Sequence, residues 1–212
     1  MLLSGVIASL VFGQGFLVGV IIPAAGRNHT AAELTSYYKS DVRTTFAALT
    51  FFALVAGCLT LAWFFTELRD QLPSGTLAKI GYAAAMIGLI TVPIGAGIMG
   101  GAVAGLGTSG GNVMSGDVAN AFAQIGLGIM LTVGMPSLAA AAFLFTLAST
   151  RAGLFPAWVT AVALVLAVIT FSSYFWLPAY GFMLWVSLTG VYLGTRREAA
   201  RTVSPVARMA TA

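Results

Sequence analysis

The chain has 212 residues, of which 59% are hydrophobic and 8% are charged, with a formal net charge of +4. A soluble domain carries about 25% charged residues and about 45–50% apolar ones, and soluble monomers do not expose apolar surface on the scale this composition requires. The composition therefore excludes a soluble globular protein and predicts a membrane protein. Four of the ten basic residues lie in the last 17 positions, so the net charge indicates topology and not nucleic-acid binding.

Six apolar segments have lengths near the roughly 20 residues that a helix needs to cross about 30 Å of hydrocarbon. They cover approximately residues 2–22, 44–66, 80–106, 118–148, 157–176 and 179–193. We expect an all-α polytopic membrane helix bundle with six transmembrane helices over residues 1–195, followed by a basic, disordered cytoplasmic tail at 196–212. The first segment lacks the basic n-region of a secretory signal, so we expect it to be retained as a helix.

Basic residues are distributed unequally between the two sides of the predicted bundle. With six spans, seven of them fall on the side that holds both termini, whereas Arg27, Lys39 and Arg43 fall on the other side. Cytoplasmic loops carry an excess of Lys and Arg. The pattern predicts a multi-pass protein of a bacterial plasma (inner) membrane with both termini in the cytoplasm.

The loop after the first span is rich in polar and aromatic residues. Thr30 and Glu33 have capping-box spacing, and the apolar positions that follow from Leu34 to Val42 share one helical face. This predicts a short amphipathic extracytoplasmic helix before the second span. The helix either anchors that span or presents the rim of an outward-facing site or a partner surface. The residues of this candidate surface are His29, Tyr37, Tyr38, Lys39, Asp41 and Arg43.

Glycines recur at four-residue spacing in two spans, as Gly15 and Gly19 in the first and as Gly97, Gly101 and Gly105 in the third. Small residues at this spacing let membrane helices approach closely. They predict packing between helices of the chain, and the alternative is the interface of a homodimer.

Pro93 and Pro136 interrupt the third and fourth spans and predict kinks. Potential breaks near mid-span occur in both halves of the chain, at residues 13–15 and 134–136. An inverted repeat with a substrate site at paired breaks is one interpretation, and ordinary kinked helices are the other.

Polar side chains are few within the spans. Asn120 and Gln124 are one turn apart and face the same side. With Gln14 and Thr91 they either hydrogen-bond across helices or form a polar cavity for a neutral or lipidic ligand. Trp185 lies deep in the last span, so its indole N–H should find a partner within the bundle.

The sequence contains one cysteine, Cys58, and one histidine, His29. A single cysteine excludes an intramolecular disulfide, and a single histidine excludes bis-histidine haem ligation and multi-histidine metal sites. The sequence contains no catalytic motif. We therefore expect no enzyme activity, cofactor or metal. The leading hypothesis is an accessory or scaffold subunit of a membrane assembly, whose partners are the bilayer and other membrane subunits or a second copy. The alternative is a small carrier or binding protein for a lipidic or uncharged small molecule.

Three segments carry a family resemblance: Thr-Ala-Ala-Glu-Leu-Thr-Ser-Tyr-Tyr at 30–38, Thr-Arg-Ala-Gly-Leu-Phe-Pro-Ala-Trp at 150–158 and Gly-Val-Tyr-Leu-Gly at 190–194. In these segments the chain resembles a loose group of uncharacterised bacterial, particularly actinobacterial, integral membrane proteins with six helices. The resemblance implies the six-helix fold. It supplies no functional residues, because the group has no assigned function.

Overall fold

The computed structural model describes residues 2–16, 41–101, 116–171 and 177–209. The helices within these ranges are α1 (Leu2–Phe16), α2 (Asp41–Asp70), α3 (Thr76–Ala96), α4 (Gly116–Ile129), α5 (Met135–Arg151), α6 (Ala157–Phe171) and α7 (Leu177–Met209). A π-helical turn, Gly97–Gly101, prolongs α3, and a second, Met130–Gly134, joins α4 to α5. With α4 and α5 counted as one rod, the described chain consists of six helical rods and contains no strand.

Three of the described rods are long and apolar enough to cross a membrane: Ala48–Asp70, Thr76–Gly100 and Asn120–Arg151. Helix α6, Ala157–Phe171, is also apolar but shorter. The prediction of an all-α protein with several apolar helices is confirmed, and the fold is compatible with a membrane helix bundle.

Several predicted features lie outside the described residues. The amphipathic segment is described only from Asp41, where α2 begins, so His29, Tyr37, Tyr38 and Lys39 fall outside, as do Gly19 and Gly105. The side chains of Gln14, Asp41 and Arg43 and the surroundings of Gly15 and Gly101 also lie outside the description. The expected roles of these residues stay predictions.

Helix α3 packs along the α4–α5 rod through glycines at seven-residue spacing. A Cβ atom on Gly81 would lie 3.2 Å from Leu144, and a Cβ atom on Gly88 would lie 2.6 Å from Leu138. At Gly95 it would lie 2.7 Å from the carbonyl oxygen of Gly126. A seven-residue repeat keeps one seam facing its partner along a left-handed crossing. The described seam therefore runs through Gly81, Gly88 and Gly95. Of the predicted four-residue series, Gly97 has described surroundings, and a Cβ atom there would make ordinary contacts with Phe51.

The two prolines have different local effects. Pro136 lies in the first turn of α5, directly after the π-helical turn Met130–Gly134. A proline ring clashes with the carbonyl group four residues earlier, and the wider π-helical turn gives that carbonyl room. Pro93 lies inside α3 without ending it, and the second π-helical turn begins at Gly97.

The connection between α5 and α6 is a tight turn with a glycine at its left-handed position. Gly153 has φ 66°, a left-handed conformation that costs glycine little. Its N–H donates to Thr150 O at 3.0 Å, and the N–H of Leu154 donates to Ser149 O at 2.9 Å, which is the Schellman pattern of a helix C-terminus. The turn brings the start of α6 back beside the end of α5.

The last helix extends beyond the last predicted apolar span into the basic tail. Helix α7 continues from the last predicted span through 196–209 and ends at Met209. Extension of an existing helix requires no new nucleus, and the tail is rich in Ala and Arg, which are strong helix formers. Residue 193 is therefore the end of an apolar segment and not the end of a helix.

Candidate functional site

Three of the four predicted cavity residues, Thr91, Asn120 and Gln124, have described side chains. The Thr91 hydroxyl donates to the carbonyl of Ile87 at 2.7 Å, and Thr91 lies beside Gly134, where a Cβ atom would be 3.8 Å from its own Cβ. Asn120 and Gln124 are exposed near the far end of the same rod. Gln124 precedes Gly134 by ten residues, which is about 15 Å along a helix. The structure therefore separates Thr91 from the two amides.

Helix α4 carries these two amides and the carboxyl group of Asp117 on an outward face, here called the amide face (Asp117, Asn120 and Gln124). Their spacing of three and four residues places them on one side of the helix, and all three side chains are exposed. The third candidate span begins at Asn120. An amide exposed to hydrocarbon without a hydrogen-bond partner costs several kcal/mol, so this face is suited to contact a group that can donate and accept hydrogen bonds.

Apolar side chains flank the amide face. Val118, Phe122 and Ile125 are also exposed, and Ile125 is 55% exposed. The end of α4 near Gly126 packs tightly, because Gly126 meets Gly95 and Met99 of the α3 rod. The first half of α4 therefore presents both apolar and hydrogen-bonding surface, which is the composition of a helix that packs on another membrane helix.

A second surface feature is an apolar groove between α2 and α3. It has a volume of about 570 Å³, and its walls include Cys58 and Leu59 from α2 and Met86, Ile90 and Pro93 from α3. Pro93 was expected to kink the helix, and the structure places it in the wall of this groove. Among the predicted cavity residues with described side chains, Thr91, Asn120 and Gln124 do not line the groove.

The centre of the described bundle is an aromatic cluster around Phe65 of α2. The Phe65 ring stacks on Phe145 at 5.4 Å, on Trp185 at 6.1 Å and on Phe182 at 6.3 Å between centroids. Phe64 meets Phe65 edge to face at 5.5 Å. These five side chains have no exposed surface, so they join α2, α5 and α7 through dispersion contacts.

Hydroxyl groups supply the polar contacts of this interior. The indole N–H of Trp185 donates to the Thr146 hydroxyl at 2.9 Å, which confirms the expectation that it has a partner within the bundle. The hydroxyls of Ser9 and Ser187 join α1 to α7 at 2.9 Å. Thr146, Ser9 and Ser187 were not predicted from the sequence, although hydroxyl groups inside apolar segments are a signal that could have indicated them.

Basic side chains at one end of the bundle contact a neighbouring loop and a neighbouring helix. Arg196 donates to the carbonyl oxygens of Gly153 at 3.1 Å and Leu154 at 2.6 Å, and the Arg69 guanidinium lies 4.9 Å from the ring centroid of Tyr82. Arg151 and the α2–α3 loop border one small cavity of about 310 Å³. We call this the basic end of the bundle.

No family model matches the chain, and neither the curated proteins nor the solved structures contain a significant match. The resemblance noted from the sequence therefore stays an expectation. Of the features described above, the amide face of α4 and the groove between α2 and α3 are the two that a partner outside the bundle could contact.

Proposed function

We propose that the chain is a non-enzymatic multi-pass protein of the plasma membrane that acts as an accessory or scaffold subunit, with α4 as its main contact. The observation that carries this proposal is the exposure of Asn120 and Gln124 at the start of an apolar candidate span. The proposed partner is a transmembrane helix that presents amide, hydroxyl or carboxyl groups at matching positions.

Polar contacts between membrane helices are individually modest, at about 0.6 kcal/mol each. The contribution of the amide face therefore depends on several hydrogen bonds combined with the packing of neighbouring apolar side chains such as Phe122 and Ile125. Amides both donate and accept, so the face is also complementary to a second copy of itself. A heteromeric assembly and a homodimer use the same chemistry.

Replacement of both amides should abolish the assembly without unfolding the chain. In the Asn120→Leu/Gln124→Leu variant we expect loss of stoichiometric partner subunits when the protein is extracted in mild detergent and its mass is measured intact. Leucine is a strong helix former. The two side-chain amides that it replaces are exposed, so we expect the fold of the isolated chain not to depend on them. The thermal midpoint of the isolated chain should stay unchanged or rise.

Thr132→Leu is the matched control, because it also converts an exposed polar residue of the same rod to leucine. The Thr132 hydroxyl already donates to Gly128 O at 2.7 Å, so it has no need of a partner outside the chain. Equal partner stoichiometry in the native chain and the double variant would contradict the subunit proposal. A partner with the mass of the chain itself would identify the homodimer.

The alternative function, a carrier or binding protein for a lipidic or uncharged molecule, is favoured by the apolar groove at Pro93. Its volume of about 570 Å³ lies within the roughly 300–1,000 Å³ of typical small-molecule sites. The same intact-mass measurement distinguishes the two functions. One retained lipid per chain, with no protein partner, would favour the carrier.

The proposed orientation places the basic end and both termini in the cytoplasm. The gathering of Arg69, Arg151 and Arg196 at one end of the bundle supports this orientation through the excess of positive charge in cytoplasmic loops. We expect a fluorescent reporter fused after Ala212 to be active and a periplasm-dependent phosphatase at the same position to be inactive. A phosphatase inserted at residue 112 should give the opposite result, and activity after Ala212 would reverse the orientation.

A further inference from the structure

Helices α5 and α7 run in the same direction and meet along one stripe of side chains. Trp185 of α7 bonds to Thr146 of α5 at 2.9 Å. Eleven residues further along α7, Arg196 donates to the carbonyl of Gly153, which lies seven residues beyond Thr146. Since both positions advance together, the two helices are parallel, and side chains between these two contacts on the same faces lie opposite one another.

Ser149 and Thr189 occupy those intermediate positions. Ser149 follows Thr146 by three residues and Thr189 follows Trp185 by four, so each lies one turn nearer the basic end on the same face as its neighbour. Both side chains have 0% exposure, and neither hydroxyl has a hydrogen-bond partner among the described residues. Two buried hydroxyls without partners therefore lie one turn nearer the basic end than the Trp185–Thr146 contact.

The absence of a hydrogen-bond partner distinguishes these two hydroxyls from those of several threonines in the described helices. The hydroxyls of Thr146, Thr150 and Thr170 each donate to the carbonyl four residues earlier, at 2.7–2.8 Å. A buried hydroxyl left without a partner in a low-dielectric interior costs as much as a lost hydrogen bond or more. Ser149 and Thr189 lack such a bond, so their hydroxyls are available to a group outside their own helices.

We infer that Ser149 and Thr189 bind one internal water molecule between α5 and α7. A buried water typically makes about three hydrogen bonds to polar groups that would otherwise lack partners. The two hydroxyls supply two of them, and a helix carbonyl retains a second lone pair for the third. This site is independent of the amide face, so the subunit proposal and the water site can fail separately.

Radiolytic footprinting of the full chain in lipid nanodiscs tests the site directly. Hydroxyl radicals formed from a bound water label the side chains around it, so we expect labelling of Trp185 even though it has no exposed surface. In the Ser149→Ala/Thr189→Val variant this labelling should fall to the level of Phe12, which is equally buried but contacts Phe182 on the α1 side. Thr170→Val, which removes a hydroxyl already bonded to Leu166, should leave it unchanged.

Equilibrium unfolding of the single variants gives an independent measurement. If the two hydroxyls share a water, Ser149→Ala and Thr189→Val should each raise the unfolding constant roughly tenfold, and the double variant should be little worse than either, because the second substitution has no water left to release. Thr189→Ser, which keeps the hydroxyl, should retain Trp185 labelling. Labelling of Trp185 that is the same in the native chain and the double variant overturns the site, as does a gain of stability in both single variants.

Discussion

Gly126→Ala should destabilise the bundle by on the order of 3 kcal/mol, the upper part of the range for overpacked cores. An added methyl group would overlap the carbonyl oxygen of Gly95 and lie 2.5 Å from Cγ of Met99. The nearer obstacle is backbone and cannot rotate away, so α3 and α4 must separate at this level. The change in the free energy of unfolding is measured by titration with a denaturing detergent. The readout is the loss of proximity between α3 and α4.

Gly128→Ala is the matched control on the same helix. A Cβ atom at Gly128 would have nothing within 4 Å, so the substitution changes only the intrinsic helix preference, which favours alanine. We expect its unfolding midpoint to equal or exceed that of the native chain. Similar midpoints for the Gly126 and Gly128 variants would show that the close approach of α3 and α4 does not limit stability.

Phe65→Ala should have a comparable effect, about 3 kcal/mol, at the lower end of the range for large aromatic residues in cores. Phe65 is fully buried and stacks on Phe145, Phe182 and Trp185. In a bilayer the separated helices are solvated by lipid chains as apolar as the core. The transfer of the side chain out of water therefore contributes less to stability than in a soluble protein. The loss of stability in the variant comes from the lost dispersion contacts and from the cavity that remains.

Phe52→Ala provides the comparison on the same helix, because Phe52 is 68% exposed. Its removal leaves no internal cavity, so the unfolding midpoint should change little. The fluorescence of Trp185 adds a local readout, since its ring loses a stacking neighbour only in the Phe65 variant. Equal losses of stability at the two positions would mean that the aromatic cluster is not the centre of the bundle.

The class of fold was predictable because hydropathy over about 20 residues depends on composition more than on contacts. The helical spans follow from apolar segments, and the partner of Trp185 follows from the cost of an unbonded indole N–H. The packing seam was not found. Glycines at four-residue spacing predicted a contact at Gly97, whereas the described seam uses the seven-residue series that includes Gly88 and Gly95.

The candidate site was predictable only in part. Periodicity showed that Asn120 and Gln124 share a face, yet it could not show whether that face points into the bundle or away from it. Thr146, Ser149 and Thr189 were not identified, because a hydroxyl in an apolar helix usually bonds to its own backbone. Only contacts between helices distant in sequence distinguish the exceptions.

The direction of the amide face depends on the π-helical turn Met130–Gly134. Gly126 and Leu138 are twelve residues apart and would point about 120° from each other on a regular helix, yet both face α3, at Gly95 and Gly88. One extra residue in the turn reduces that angle to about 20°. The same rotation turns Gln124 away from α3. The π-helical turn, several residues after Gln124 in the chain, therefore determines which side chains α4 presents to its surroundings.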